Sequence, residues 1–215
     1  MFGAGALTDQ DVRSAAEGSR EAFERVAAVL EPQVRLMVAA RLSPTPGQFD
    51  TVDELTQEVL LGLSTGISRL ESRTVEGLRA FLSGVVARKV ADLLKRRGAG
   101  RALRPEFRSL DSTVTGLSHA QALWQLLSAS GTSLASAVDR AELVGRLVRA
   151  LGGLKREYRE VITLAFFDQL STAEIASRWG VSRGAVSMLL LRAVRVLRQQ
   201  MTGSSGLERS HDLAT

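Results

Sequence analysis

Apolar residues return every three or four positions along most of the chain, and no stretch alternates as a half-buried strand does. The pattern predicts an all-α fold. From about Asp9 to Leu30, the residues Phe23, Val26, Ala27 and Leu30 keep helical spacing. Pro32 predicts the start of a second helix, since a first turn has no use for the missing N–H. That helix carries Val34, Met37, Val38 and Leu42. The prolines and glycine of "SPTPGQFD" (43–50) predict a loop. Thr51 and Glu54 have capping-box spacing and open a helix through Leu55, Val59 and Leu63. The pattern weakens over 64–74, and a longer helix is predicted from about Val75 to Arg97. Its apolar arc holds Leu78, Leu82, Val85, Val86, Val90 and Leu93, with Lys89 inside it. Such a lysine can snorkel, pair with an acid or reach a phosphate, and snorkelling is the commonest.

Periodicity then fails. "RRGAGRALRPEFRSLDSTVTG" (96–116) and "SASGTSLAS" (128–136) have linker composition, with "HAQALWQLL" (119–127) a candidate short helix that docks Trp124. A second helical block begins near Asp139 with Leu143, Val144, Leu147, Val148 and Leu151, and "GG" at 152–153 stops it. Another helix over about Lys155 to Phe167 buries Tyr158, Val161, Ile162 and Ala165. The domain reading is one unit over 10–97, a linker over 98–139, a second unit over 140–202 and a disordered tail over 203–215.

The second unit ends in "STAEIASRWGVSRGAVSMLLLRAVRVLRQ" (171–199). Ser171 and Glu174 form a capping box for a short helix with Ile175, Ala176 and Trp179 inward. Gly180 stands where a helix end needs positive φ, Val181 can plug the angle, and Ser182 caps the next helix. This order is that of a helix-turn-helix, with a plain αα-corner as the alternative. At about 100° per residue, Val186, Leu190, Ala193 and Leu197 face the core. Opposite lie Gly184, Ser187, Met188, Leu191, Arg195 and Arg198, with Arg192 at the margin. Arg183, Gly184 and Ser187 are candidate base readers at the helix start, and Arg192, Arg195 and Arg198 candidate phosphate contacts further along. Met188 and Leu191 are anomalous on a wet face. A thymine methyl, a partner protein or mere breadth of the apolar face accounts for them.

Charge adds a second clue. The net charge is +5, but residues 9–58 hold five Arg against ten acids, whereas 59–97 hold eight cations against three acids. Residues 98–139 balance at three against three, and 140–202 hold eleven cations against five acids. Two basic segments suit two contacts with a polyanion, and the acidic opening suits a different partner; ordinary surface scatter is the alternative. With no cysteine and only His119 and His211, thiol chemistry and Cys-based metal sites are excluded, and no nucleophile motif or phosphate-cradling glycine loop is present. The chain is therefore not expected to be an enzyme, nor to need a cofactor or metal. The start lacks a signal-peptide pattern and no apolar run reaches 18 residues, so a cytoplasmic protein without a membrane span is expected.

With these elements in order, the chain resembles the extracytoplasmic-function (ECF) class of bacterial sigma factors. "GSREAFERV" (18–26), "DELTQEVLLGL" (53–63) and "GLRAFLSGVVARKVADLLKRR" (77–97) look like the family's region 2. "SLDS" (109–112) looks like the start of its linker, and residues 147–198 like its region 4. The resemblance implies a region 2 bundle and a region 4 helix-turn-helix joined by a flexible linker that threads toward the polymerase active-site and RNA-exit channels. It implies core RNA polymerase (β′ clamp and β flap) and promoter DNA as partners, and allows an anti-sigma factor. The family's "D-L-x-Q-E" pattern, which docks on the clamp, falls on Glu54, Leu55, Gln57 and Glu58, beside Asp53. Its "W-L-x-R-I-A-x-N" motif, which helps open the minus-ten element, falls on Phe81, Leu82, Gly84, Val85, Val86 and Arg88. Gly84 and Arg88 replace the usual Arg and Asn. Arg88, Lys89, Lys95, Arg96 and Arg97 remain a basic end able to hold a strand's backbone. Ser187 and Leu189 stand where Lys and Arg are frequent. Region 4 would then read the minus-thirty-five element through Ser182, Arg183, Gly184, Ser187, Met188, Arg192 and Arg195. The alternative is a helix-turn-helix regulator that acts without polymerase core binding.

Overall fold

The computed structural model describes residues 7–42, 49–96 and 137–207, with backbone only for residue 49, 137–140 and 202–207. Among the described residues there are helices and turns but no strand. The chain divides into two compact units, residues 1–38 with 46–115, and residues 39–45 with 116–215.

In the first unit, helix α1 (Asp9–Ala16) starts from a capping box in which the Thr8 hydroxyl accepts from Asp11 N–H and the Asp11 carboxylate accepts from Thr8. These bonds to the charged form hold the Asp11 carboxyl below its usual pKa. The predicted single helix from Asp9 to Leu30 is interrupted. Gly18, at φ 97°, turns the chain, and α2 (Arg20–Leu42) follows. Nor does Pro32 start a helix, because it lies inside α2. Val26, Leu30, Val34 and Val38, each four residues from the last, are wholly buried on one face that passes through the proline. The carbonyl left without Pro32 N–H belongs to Ala28, which is exposed and open to water. Continuous burial outweighs the lost bond.

Helix α3 (Phe49–Gly66) begins before Thr51, so the expected cap at Thr51 is not its start. Residues 43–48 of the predicted loop lie outside the described residues, and 49–50 are helical. Val52, Leu55, Val59 and Leu63 are buried, as is Thr56, whose hydroxyl donates to the Val52 carbonyl at 2.7 Å. A 3₁₀ turn (Ile67–Arg69) leads to α4 (Val75–Arg96), where Leu78, Leu82, Val86 and Val90 are buried while Val85 and Leu93 are half-buried. The Asp9 carboxylate accepts from Val75 N–H at 2.8 Å, so the start of α1 satisfies a donor at the start of α4.

In the second unit, α5 (Ala137–Gly153) begins inside the stretch expected to be linker. The rest of that linker, with the short helix at 119–127 and Trp124, lies outside the described residues, as does Arg97. Gly152 and Gly153 are the last two residues of α5. Helix α6 (Arg156–Ile162) passes into a π-helical turn (Thr163–Phe167) buried along its whole length; Tyr158 is only half-buried. Gln169 then takes φ 59°, unusual for a side chain with a Cβ, between Asp168 N–H donating to Thr163 and Leu170 N–H donating to Leu164, both at 2.9 Å. Helices α7 (Thr172–Trp179) and α8 (Arg183–Leu207) complete the unit. Leu147, Leu151, Ile162, Ile175, Ala193 and Leu197 form its core. Gln200 Nε2 donates to the Gly153 carbonyl at 3.3 Å and ties α8 to the end of α5. The tail expected to be disordered from 203 is helical as far as Leu207; residues 208–215 lie outside the described residues.

Candidate functional site

The hinge between α7 and α8 is built from local chemistry. Ser171 Oγ accepts from Glu174 N–H at 3.2 Å, while Glu174 Oε2 accepts from Ser171 N–H at 2.7 Å and from its hydroxyl at 2.6 Å. These bonds favour the carboxylate and hold the Glu174 carboxyl below its usual pKa. Gly180 closes α7 in the left-handed conformation, φ 66° and ψ 32°, which a Cβ would oppose. Ser182 then caps α8, its hydroxyl accepting from Ala185 N–H at 3.2 Å. Two inward residues differ from expectation. Val181 is 46% exposed and does not plug the angle, and Trp179 is half-buried. Ile175 on α7 and Val186 on α8 are buried.

Helix α8 separates its faces sharply. Val186, Ala193 and Leu197 are buried, with Leu190 half-buried beside them. Ser182, Arg183, Gly184, Ser187, Met188, Leu191, Arg192, Arg195 and Arg198 are all exposed. Arg183 is held in place, its Nε donating to Thr172 Oγ1 at 3.3 Å across the hinge. The Ser187 hydroxyl donates to the Arg183 carbonyl at 3.1 Å, which leaves its lone pairs outward. Arg192 and Arg195 form no ion pair with the described residues. A Cβ built on Gly184 meets only Ser182 Oγ, at 4.0 Å, so the first turn of α8 is open. The Met188 and Leu191 anomaly is therefore not breadth of the apolar face, for these side chains are 50% and 56% exposed.

The first unit arranges its candidate residues differently. Asp53 pairs with Arg35 at 2.7 Å, and Glu58 with Lys89 at 3.1 Å. Lys89 therefore takes the acid, not the snorkelled position expected to be commonest. Glu54 and Gln57 are exposed on α3. On α4, Phe81 is half-buried with its ring against Gly66, where an added Cβ would lie 2.7 Å from Cζ. Gly84 is buried, Arg88 and Arg96 are exposed, and Lys95 lies 3.7 Å from Asp92. The structure thus brings Glu58 and Lys89 together and spreads the others along two helices.

Two residues escaped the reading of the sequence. Leu61 is 68% exposed and follows Glu54 and Gln57 at helical spacing on the same side of α3. Its departure from the buried stripe of Leu55, Val59 and Leu63 was the available signal. Thr172, which positions Arg183, lies 11 residues away in sequence and carries no periodic signal. Among the described residues no group of three or more His, Asp or Glu could hold a metal ion, and no helix is long and apolar enough to cross a membrane.

Comparison with known proteins covers both units. Residues 145–197 match the family described as Sigma-70, region 4. The ECF RNA polymerase sigma factor SigD of Mycobacterium bovis is 28% identical over 200 residues, covering 93% of this chain and 86% of that protein. SigD of Mycobacterium tuberculosis gives the same values. The ECF RNA polymerase sigma factor SigF of Caulobacter vibrioides is 26% identical over 206 residues, covering 93% of this chain and all of that protein.

Proposed function

We propose, for a chain that belongs to the extracytoplasmic-function class of RNA polymerase sigma factors, a division of labour between its two helical units on one promoter. The chain is a polymerase-associated promoter-specificity factor, of a family that is not an enzyme family. Catalysis belongs to the core polymerase, and this subunit supplies the choice of site. In our reading the unit over 140–202 reads the minus-thirty-five element as duplex, and the unit over 10–97 binds the polymerase clamp and opens the minus-ten element. Helix α8 enters the major groove by its first turn, where Ser182, Arg183, Gly184 and Ser187 meet base edges, while Arg192 and Arg195 meet phosphates. Helix α3 docks by Glu54, Gln57 and Glu58, with Asp53 beside them and Leu61 as an apolar contact one turn further along the face. Helix α4 offers Phe81 to an unstacked base and Arg88, Lys89, Lys95 and Arg96 to the strand's backbone, with Arg97 next in the sequence.

One observation carries the reading. On the side of α8 opposite its buried stripe, every candidate DNA-binding residue is exposed, downstream of a left-handed glycine hinge and two helix caps. The test is to mix the purified chain with core polymerase, follow co-elution on a sizing column, and footprint the complex on promoters selected from genomic DNA. Co-elution with protection of both promoter elements is expected. Failure to co-elute, with tight binding of the chain alone to duplex DNA, would instead describe a regulator that works without polymerase.

A further inference from the structure

We infer that Met188 and Leu191 form an apolar reader of thymine C5-methyl groups, so that α8 selects its duplex partly by hydrophobic contact. This rests on the reading of α8 as the helix that enters the major groove. Both side chains are about half exposed although each is large and apolar. Along the helix, Gly184, Met188, Leu191 and Arg195 follow one another at i+4, i+3 and i+4, which sets the pair within one strip between an open first turn and a cation. Arg183 and Arg192 border the same strip, and both are exposed. A patch framed by guanidinium groups complements a polyanion, which singles out nucleic acid among surfaces that could cover it.

Within a major groove, only one base feature is apolar. Thymine presents a methyl at C5, while the other bases present hydrogen-bond donors and acceptors. Neither Met188 nor Leu191 offers a strong donor or acceptor, so against G, C or A edges they would desolvate polar groups without replacing their bonds. Against a thymine methyl they remove two apolar surfaces from water at once. Methionine's unbranched, polarisable chain can follow a methyl at slightly different depths, and Leu191, one turn on, contacts the adjacent step. The contact fixes a base preference that Ser187 and Arg183 alone do not supply.

The experiment uses the complete chain bound to core polymerase and a promoter duplex that this complex selects from a random pool. Each thymine of the upstream element is replaced in turn by uracil, which removes the methyl and keeps every hydrogen-bonding group. At one or two positions uracil should weaken wild-type binding about fourfold, the equivalent of about 0.8 kcal/mol for one methyl returned to water. Met188→Ala or Leu191→Ala should bind the thymine duplex more weakly and lose that discrimination, with unchanged thermal unfolding. Tolerance of uracil at every position by the wild type overturns the inference and leaves the pair to a protein surface. Retention of full uracil sensitivity by both variants overturns it as well. If the complex selects no upstream element at all, the minus-thirty-five role of α8 fails and takes this inference with it. An upstream element without a methyl-sensitive thymine removes the inference alone.

Discussion

Helices α3–α4 and helix α8 both display charge, yet they treat it in opposite ways. On the first pair two of the acids are matched within the fold, Asp53 to Arg35 and Glu58 to Lys89, while Glu54, Arg88 and Arg96 are exposed. On α8, Arg192 and Arg195 meet no acid among the described residues, and Arg183 is held by a neutral hydroxyl. Half-exposed ion pairs contribute at most about 1 kcal/mol, so a protein partner can exchange them at little cost. Unmatched cations hold back their full field for a ligand that brings its own negative charge. We read the first as a surface suited to protein and the second as one suited to phosphate.

The largest expected effect lies on α3. Leu61→Asp should reduce co-elution with core polymerase at least tenfold while thermal unfolding stays at the wild-type value, because Leu61 is 68% exposed. Undiminished co-elution would remove that face from docking. On α8, the double change Arg192→Ala with Arg195→Ala should weaken promoter binding by the holoenzyme. It should also flatten the dependence of log affinity on log salt by roughly 2, about 1 per phosphate contact. A loss of affinity with the salt slope intact would assign these arginines to something other than phosphates.

Smaller effects concern the frames that hold the two surfaces. Ser171→Ala deletes one half of the capping box at α7 and should cost about 1 kcal/mol in denaturant unfolding. Lys89→Met, which breaks the pair with Glu58, should cost less than about 1 kcal/mol. An equal or larger loss than at Ser171 would mean that the ion pair is structural. Acid should expose a weakness common to both units. Glu174 and Asp11 have pKa values lowered in the fold by their capping bonds, so their stabilisation is complete above the unfolded values. It is lost as pH falls through the lower folded ones. Calorimetry below about pH 4 should show both units weakening, and Glu174→Gln should reduce the acid dependence.

Much of the helix-turn-helix was legible because its signals are local. Ser171 with Glu174, Gly180 and Ser182 specify caps and a left-handed turn within 12 residues, and backbone chemistry enforces them whatever surrounds them. Periodicity likewise exposed the buried side of α4 and the exposed strip of α8. Elements that depend on distant packing were not legible. Pro32 looked like a beginning because proline favours a first turn, and the unbroken spacing of Val26, Leu30, Val34 and Val38 became one buried face only in the fold. The π-helical turn at Thr163–Phe167, buried along its length, and the positive φ of Gln169 have no marker in residue type.

The sequence by itself determined the helical class, the capped hinge at 171–182 and which side of α8 bears the arginines, since each follows from interactions within about one turn of chain. Tertiary structure decided that Lys89 meets Glu58, that Thr172 holds Arg183, that Val181 is exposed and that Leu61 stands outside the core. Those outcomes depend on which neighbours other helices bring to a side chain, and neither residue type nor spacing encodes a neighbour 31 residues away.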